Sequence, residues 1–131
     1  SGANDTLREK IGEDYPRDTF RHEQDLLVTE NGKTALFAGC AHCGIVNILK
    51  SAEDVLGRAP DAVFAGFHLY NPSLGKSEPD ELVDAVGEKL RGDKVAHYFT
   101  GHCTGKEAYE RLKRKLGDRL GEMPAGSDFT V

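Results

Sequence analysis

Two periods alternate along the chain. Short continuous apolar runs give way to stretches in which apolar residues recur three and four positions apart. Leu26-Leu27-Val28-Thr29 and Thr34-Ala35-Leu36-Phe37-Ala38 read as strands around Asn31-Gly32, a pair suited to a type I′ turn because both central residues need positive φ. Residues 25–38 are therefore expected to form a hairpin. Its second strand is almost wholly apolar, which predicts cover on both faces. Ile45, Ile48, Leu49, Ala52, Val55 and Leu56 then follow a helical period, closed by Gly57 with Pro60 beyond. Asp61 to Phe67 is a third strand, and residues 68–77 read as a loop. Pro79 and the acids around it open a second helix, with Leu82, Ala85, Val86 and Leu90 as its apolar side and Gly92 at its end. Val95 to Phe99 is a fourth strand. Thr104-Gly105-Lys106-Glu107 matches a capping box ahead of Ala108, Leu112 and Leu116. A short edge strand is expected near the end, within 119–123 or 129–131.

The order ββαβαβα predicts an α/β fold with a mixed, mostly parallel sheet and flanking helices. In parallel βα units every strand-to-helix joint falls at one sheet edge, where ligands bind. Gly39–Gly44, His68–Asn71 and Gly101–Gly105 are those joints, and they carry His42, His68, His102, Cys40, Cys43 and Cys103. Imidazole and thiolate at one edge suit a transition-metal site. The plainer alternative is small and polar residues filling tight turns, with the cysteines acting as small hydrophobes. A third reading takes Cys40-Ala41-His42-Cys43 as a Cys-x-x-Cys redox pair at a helix start. The two βα units that follow it, each bringing a further histidine, argue against that order of elements. His97, inside a strand, reads as packed or on an outer sheet face.

Charge and composition narrow the classes. The chain of 131 residues has 17 basic and 22 acidic side chains, a net charge of −5, and no clustered basic face, so nucleic acid is not expected as a partner. No apolar run approaches membrane-spanning length, and three cysteines without a secretory mark predict reduced thiols in a cytoplasmic protein. Residues 1–21 are polar and read as an arm or linker, with Ser1-Gly2-Ala3 resembling a tag remnant. Residues 22–131 form the domain.

Three motifs in order resemble the metallo-β-lactamase fold: Gly-Cys-Ala-His-Cys-Gly-Ile-Val-Asn-Ile-Leu at 39–49, Ala-Gly-Phe-His-Leu at 65–69, and Thr-Gly-His-Cys-Thr-Gly at 100–105. Within that superfamily they are similar to the branch of dihydropterin–ribofuranosylaminobenzene phosphate synthase. The resemblance implies one half, the C-terminal one, of a four-layer αββα sandwich with a hydrolytic metal centre. The metal is implied to be zinc, with iron or manganese as alternatives, and its hydroxide to attack a small phosphorylated or pterin-like substrate. It carries over His42 and His102 as metal ligands, paired across the strand-end edge, and Cys40 at a place where many members have a bridging aspartate. His68 is implied in catalysis, and Tyr70 and Asn71 in substrate contact. Cys43 then reads as a packing residue at the helix start. The motif His-x-His-x-Asp-His of the family's other half is absent from the sequence. The site is thus expected to be incomplete and inactive alone, and to be completed by the missing half or by a second copy.

Overall fold

The computed structural model describes residues 2–131; Ser1, the first residue of the expected tag remnant, lies outside the described residues. The elements run β1 (Asp25–Glu30), β2 (Lys33–Ala38), α1 (Ile45–Leu56), β3 (Ala62–Ala65), β4 (Tyr70–Asn71), β5 (Lys76–Ser77), α2 (Asp80–Gly92), β6 (His97–Thr100), α3 (Lys106–Leu116) and β7 (Leu120–Glu122). The main sheet has the order β1-β2-β3-β6-β7, antiparallel between β1 and β2 and parallel elsewhere. Among the described residues no helix is long and apolar enough to cross a membrane.

The hairpin and first helix form where local chemistry dictates. Asn31 and Gly32 take φ of 50° and 80°, the positive values the turn needs. Gly57 ends α1 in the left-handed conformation, its N–H bonded to the Glu53 carbonyl. The edge strand is β7, beside β6, and residues 129–131 do not extend it. Residues 68–77, expected as a plain loop, fold into the small β4–β5 hairpin.

Three expectations about packing are corrected. The parallel strands advance across the sheet in one direction, so right-handed crossovers put α1, α2 and α3 on the same face. There Leu36, Ala38, Val63, Ala65, Tyr98 and Leu120 meet Ile48, Leu49, Val83, Leu90, Leu112 and Leu116 in one core. Strand β2 is consequently covered on one face only, and its Phe37 is 41 % exposed. On that open face Phe37, Phe64 and Phe99 stack across β2, β3 and β6 with centroids 4.9 and 4.8 Å apart, and Phe129 leans on the last two. Leu26 and Val28 of β1 extend the apolar strip at the surface. Helix α2, second, keeps only part of its expected face: Leu90 is buried and Val86 packs on the core, but Val83 and Gly87 also point inward while Leu82 and Ala85 are exposed. Gly87 is the reason, because a Cβ there would lie 2.7 Å from Lys115 Cδ and 3.1 Å from Leu112 Cδ2 of α3. Third, the expected capping box does not form. Gly105 caps α3, and the Thr104 hydroxyl is used elsewhere.

Salt bridges tie the same two helices outside the core. Arg111 reaches both Asp80 and Asp84, and Lys115 reaches Asp84 and Glu88. The hydrogen bond from Arg111, reinforced by Lys115, holds the Asp84 carboxyl down to about 2.

Candidate metal centre

The three joints are stitched to one another at the C-terminal ends of β2, β3 and β6. Gly66 N–H donates to the Gly39 carbonyl at 2.8 Å and Leu69 N–H to the Cys103 carbonyl at 3.0 Å. The Thr104 hydroxyl accepts from Phe67 N–H at 2.9 Å and meets Thr100 Oγ1 at 2.6 Å, while Thr100 donates to the Ala65 carbonyl at 2.7 Å. Each joint also holds one non-glycine residue at positive φ: Ala41 at 49°, His68 at 48° and His102 at 51°. Such residues are uncommon and gather at functional sites. Buried threonines thus fix the loops in which the backbone is strained.

The stitched edge divides the expected residues into two groups. The first is Cys40, His102 and Cys103, whose donor atoms all lie within 4.8 Å of one another. Cys40 Sγ sits 3.6 Å from His102 Nδ1, and Cys103 donates to the Cys40 carbonyl at 3.6 Å. Room for the Cys103 sulfur exists because residue 66 is glycine; a Cβ there would stand 2.6 Å from it. Burial, and then the neighbouring charge of Cys40, push the Cys103 thiol up to about 12. An ion bound there would have to displace that proton, so loading would release acid. Cys103, beside His102 in the sequence, did not figure among the expected ligands. Two soft sulfurs and an imidazole within reach of one point are a donor set that fits zinc.

The second group surrounds His42, which packs not on His102 but between Phe20 and His68. Its ring is stacked on Phe20, centroids 4.4 Å apart and 3° from parallel, and lies 4.1 Å from the His68 ring. Glu23 clamps the turn below: one carboxylate oxygen accepts His42 N–H at 2.6 Å, the other Cys43 N–H at 2.8 Å. Burial opposes ionisation of Glu23, but these hydrogen bonds prevail and hold its pKa below the ordinary carboxylate value. Asn4 bonds the His42 carbonyl and ring, Ala3 N–H donates to Glu78, and the Ala3 backbone bonds His68. None of Asn4, Phe20, Glu23 and Glu78 was among the expected site residues, since only the fold brings them to the strand ends.

His68 is buried, and that burial, followed by the charge of His42, lowers its pKa. The sign follows from linkage. Between the folded value and the ordinary one near 6.5, the unfolded chain binds a proton that the folded chain does not. Stability from this group is therefore complete above about pH 6.5 and falls as the pH drops through that window. Urea unfolding between about pH 5 and 8 should show a steeper acid-side loss for the native chain than for His68→Gln. Equal slopes would remove this role.

The remaining candidates lie outside the Cys40–His102–Cys103 trio. Asn71 is buried, with Oδ1 accepting from Ser73 and Leu74 N–H and Nδ2 donating to the Ala3 carbonyl, so its amide holds the β4–β5 turn and the chain start. Tyr70, half-buried, lies over Gly105 at the start of α3. Cys43 is exposed rather than packed; its sulfur faces the Phe20 carbonyl at 3.9 Å. The hydrogen bond to Glu23, with burial adding, pushes the Cys43 thiol up to about 11. His97 is exposed on the open sheet face beside Phe99, and His22 faces Asp18 at the surface.

Known proteins share this fold. A solved structure, Tm1679, described as a metal-dependent hydrolase of the β-lactamase superfamily, superposes with a TM-score of 0.80 at 23 % identity. The fold is that of the metallo-β-lactamase superfamily. The superposition covers 98 % of this chain and 50 % of Tm1679. A 7,8-dihydropterin-6-methyl-4-(β-D-ribofuranosyl)-aminobenzene-5′-phosphate synthase of Methanocaldococcus jannaschii is 30 % identical over 101 residues, which are 76 % of this chain and 32 % of that protein. The chain thus spans half or less of the proteins it resembles. No protein-family model matches it.

Proposed function

We propose that this chain is part of a metal-dependent hydrolase acting on a small molecule, and that it holds the metal through Cys40, His102 and Cys103. One observation carries the reading: two sulfurs and an imidazole from two different strand-to-helix joints converge within 4.8 Å at the edge where parallel sheets bind ligands. When bound, a zinc ion there supplies Lewis-acid charge at the strand ends. Zinc and iron suit sulfur donors better than manganese, which favours oxygen.

The chain's own residues supply the surroundings. Beside His102 opens a cavity of about 400 Å³, lined also by Lys106, Tyr109 and Met123, a volume that suits a small molecule. Lys106, ion-paired with Glu110 at 3.9 Å across an exposed helix turn, can turn to a phosphate or carboxylate, in keeping with a phosphorylated, pterin-like substrate such as the M. jannaschii relative's name describes, while Glu122 on the same wall disfavours a second anionic group there. In this reading His68, whose pKa burial lowers, is the proton acceptor. The phenylalanine face of the sheet is where the complementary half of such a sandwich, or a second copy, packs and brings further ligands.

Cadmium serves as the probe. Titration of the chain should give a thiolate-to-metal absorption band that saturates at one ion per chain, with proton release, and that is lost in Cys40→Ser and Cys103→Ser. A chain without the band, together with a metal-free longest natural form by elemental analysis, would overturn the reading.

A further inference from the structure

His42 is gripped by a residue near the start of the chain in a way that determines where its ring proton sits. Asn4 Nδ2 donates to the His42 carbonyl at 2.8 Å, and Asn4 Oδ1 lies 3.2 Å from His42 Nδ1. A carbonyl oxygen can only accept, so the amide nitrogen must face it. The amide oxygen must then face the ring, and because it too can only accept, Nδ1 must carry a hydrogen. Neutral His42 is in this way restricted to the Nδ1–H form, with its lone pair on Nε2. The ring cannot turn to escape: Phe20 stacks on one face, His68 stands 4.1 Å away, and Glu23 pins the backbone N–H of residues 42 and 43.

We infer that Asn4 is a positioning residue whose side chain fixes the tautomer of His42 and presents Nε2 as its one atom for a metal ion or a substrate proton. Hydrogen bonding at the far ring nitrogen is how ligating histidines are generally oriented, and its loss typically weakens metal affinity 10- to 100-fold. The tautomer stands on this geometry alone; the use of Nε2 for metal rests on the metal-dependent function proposed above and adds His42 to the Cys40, His102 and Cys103 donors named there. Asn4, in a polar stretch expected only as an arm or linker, thereby gains a specific task. The start of the chain is part of the frame of the site, 38 positions away in sequence from the ring it orients.

Long-range proton–nitrogen correlation spectra of the imidazole rings report the tautomer directly. They should be recorded across about pH 7–9, and the tautomer read from the signals of the neutral imidazole form. The native chain is expected to show His42 protonated at Nδ1 and bare at Nε2. Asn4→Ala should shift it toward the Nε2–H form, whereas Asn4→Asp, which still accepts from Nδ1–H, should keep the native pattern. A native spectrum with Nε2–H, or an Asn4→Ala spectrum identical to the native one, overturns the inference. Cadmium affinity measured on the same variants tests the second part. If the tautomer changes in Asn4→Ala and affinity in the longest natural form does not fall about tenfold, the positioning holds but His42 is not a ligand.

Discussion

A His102→Asn chain is expected to fold as the native chain does and to lose cadmium affinity by about 100-fold or more, since even the loss of an outer-shell partner costs 10- to 100-fold. Asparagine is chosen because residue 102 sits at φ 51°, where asparagine is among the few side chains that are at ease. The backbone of the joint is thereby left undisturbed, and His102 is exposed, so its removal opens no cavity. What disappears is the nitrogen donor 3.6 Å from the Cys40 sulfur. Two thiols remain, one of them Cys103 with its proton held up to about 12, and without the imidazole an ion has only sulfur to draw on. Isothermal titration beside a thermal melt separates the two effects. An unchanged affinity would mean that the imidazole is not a ligand and that the trio is two cysteines with a bystander.

The parts of this fold that local chemistry decides were legible from residues alone. Asn31-Gly32 can turn in few ways, Gly57 ends α1 where the apolar period stops, and the three joints follow from alternation of strand and helix. The edge that collects His42, His68, His102 and the cysteines was legible for the same reason, because parallel topology admits one such edge. What failed depends on partners distant in sequence. An apolar β2 does not say that its second face stays open, since that is decided by the direction in which β3, β6 and β7 are added. The inward face of α2 was set by Gly87, a residue with no side chain to count in an apolar pattern, under Leu112 and Lys115. Thr104 resembled a cap in its own tetrapeptide, yet its hydroxyl is taken by Phe67 and Thr100. The grouping of donors was least legible. Whether Cys40 meets His102 and Cys103, or His42 meets His68, is settled by loop stitching over more than twenty residues of separation. The Glu23 clamp and the Asn4 contact on His42 are of the same kind. A sequence pattern places residues at an edge; hydrogen bonds between loops sort them.

Gly105 is where this sorting is most vulnerable, and Gly105→Ala is expected to destabilise the chain by about 2–6 kcal/mol. Its φ of 77° and ψ of 149° lie in a region that glycine alone occupies readily, which costs another residue about 1–3 kcal/mol. An alanine Cβ would also stand 2.7 Å from Tyr70 Cβ, an atom fixed to the β4 backbone that cannot swing away. Overpacking of that sort adds about 1–3 kcal/mol. At about 3–5 °C per kcal/mol for a domain of this size, the melting temperature should fall by about 6–30 °C. Gly57→Ala is the control. It has φ of 70° and ψ of 7° but nothing within 4 Å of its Cβ, so only the left-handed strain of about 1–2 kcal/mol applies. Differential scanning calorimetry of the two variants separates strain from collision; equal losses would show that β4 yields and that Tyr70 does not brace the start of α3. If the larger loss is found at residue 105, cadmium binding should weaken with it. The backbone that enters α3 is the one that leaves His102 and Cys103, and relief of the Tyr70 contact would move both donors away from Cys40.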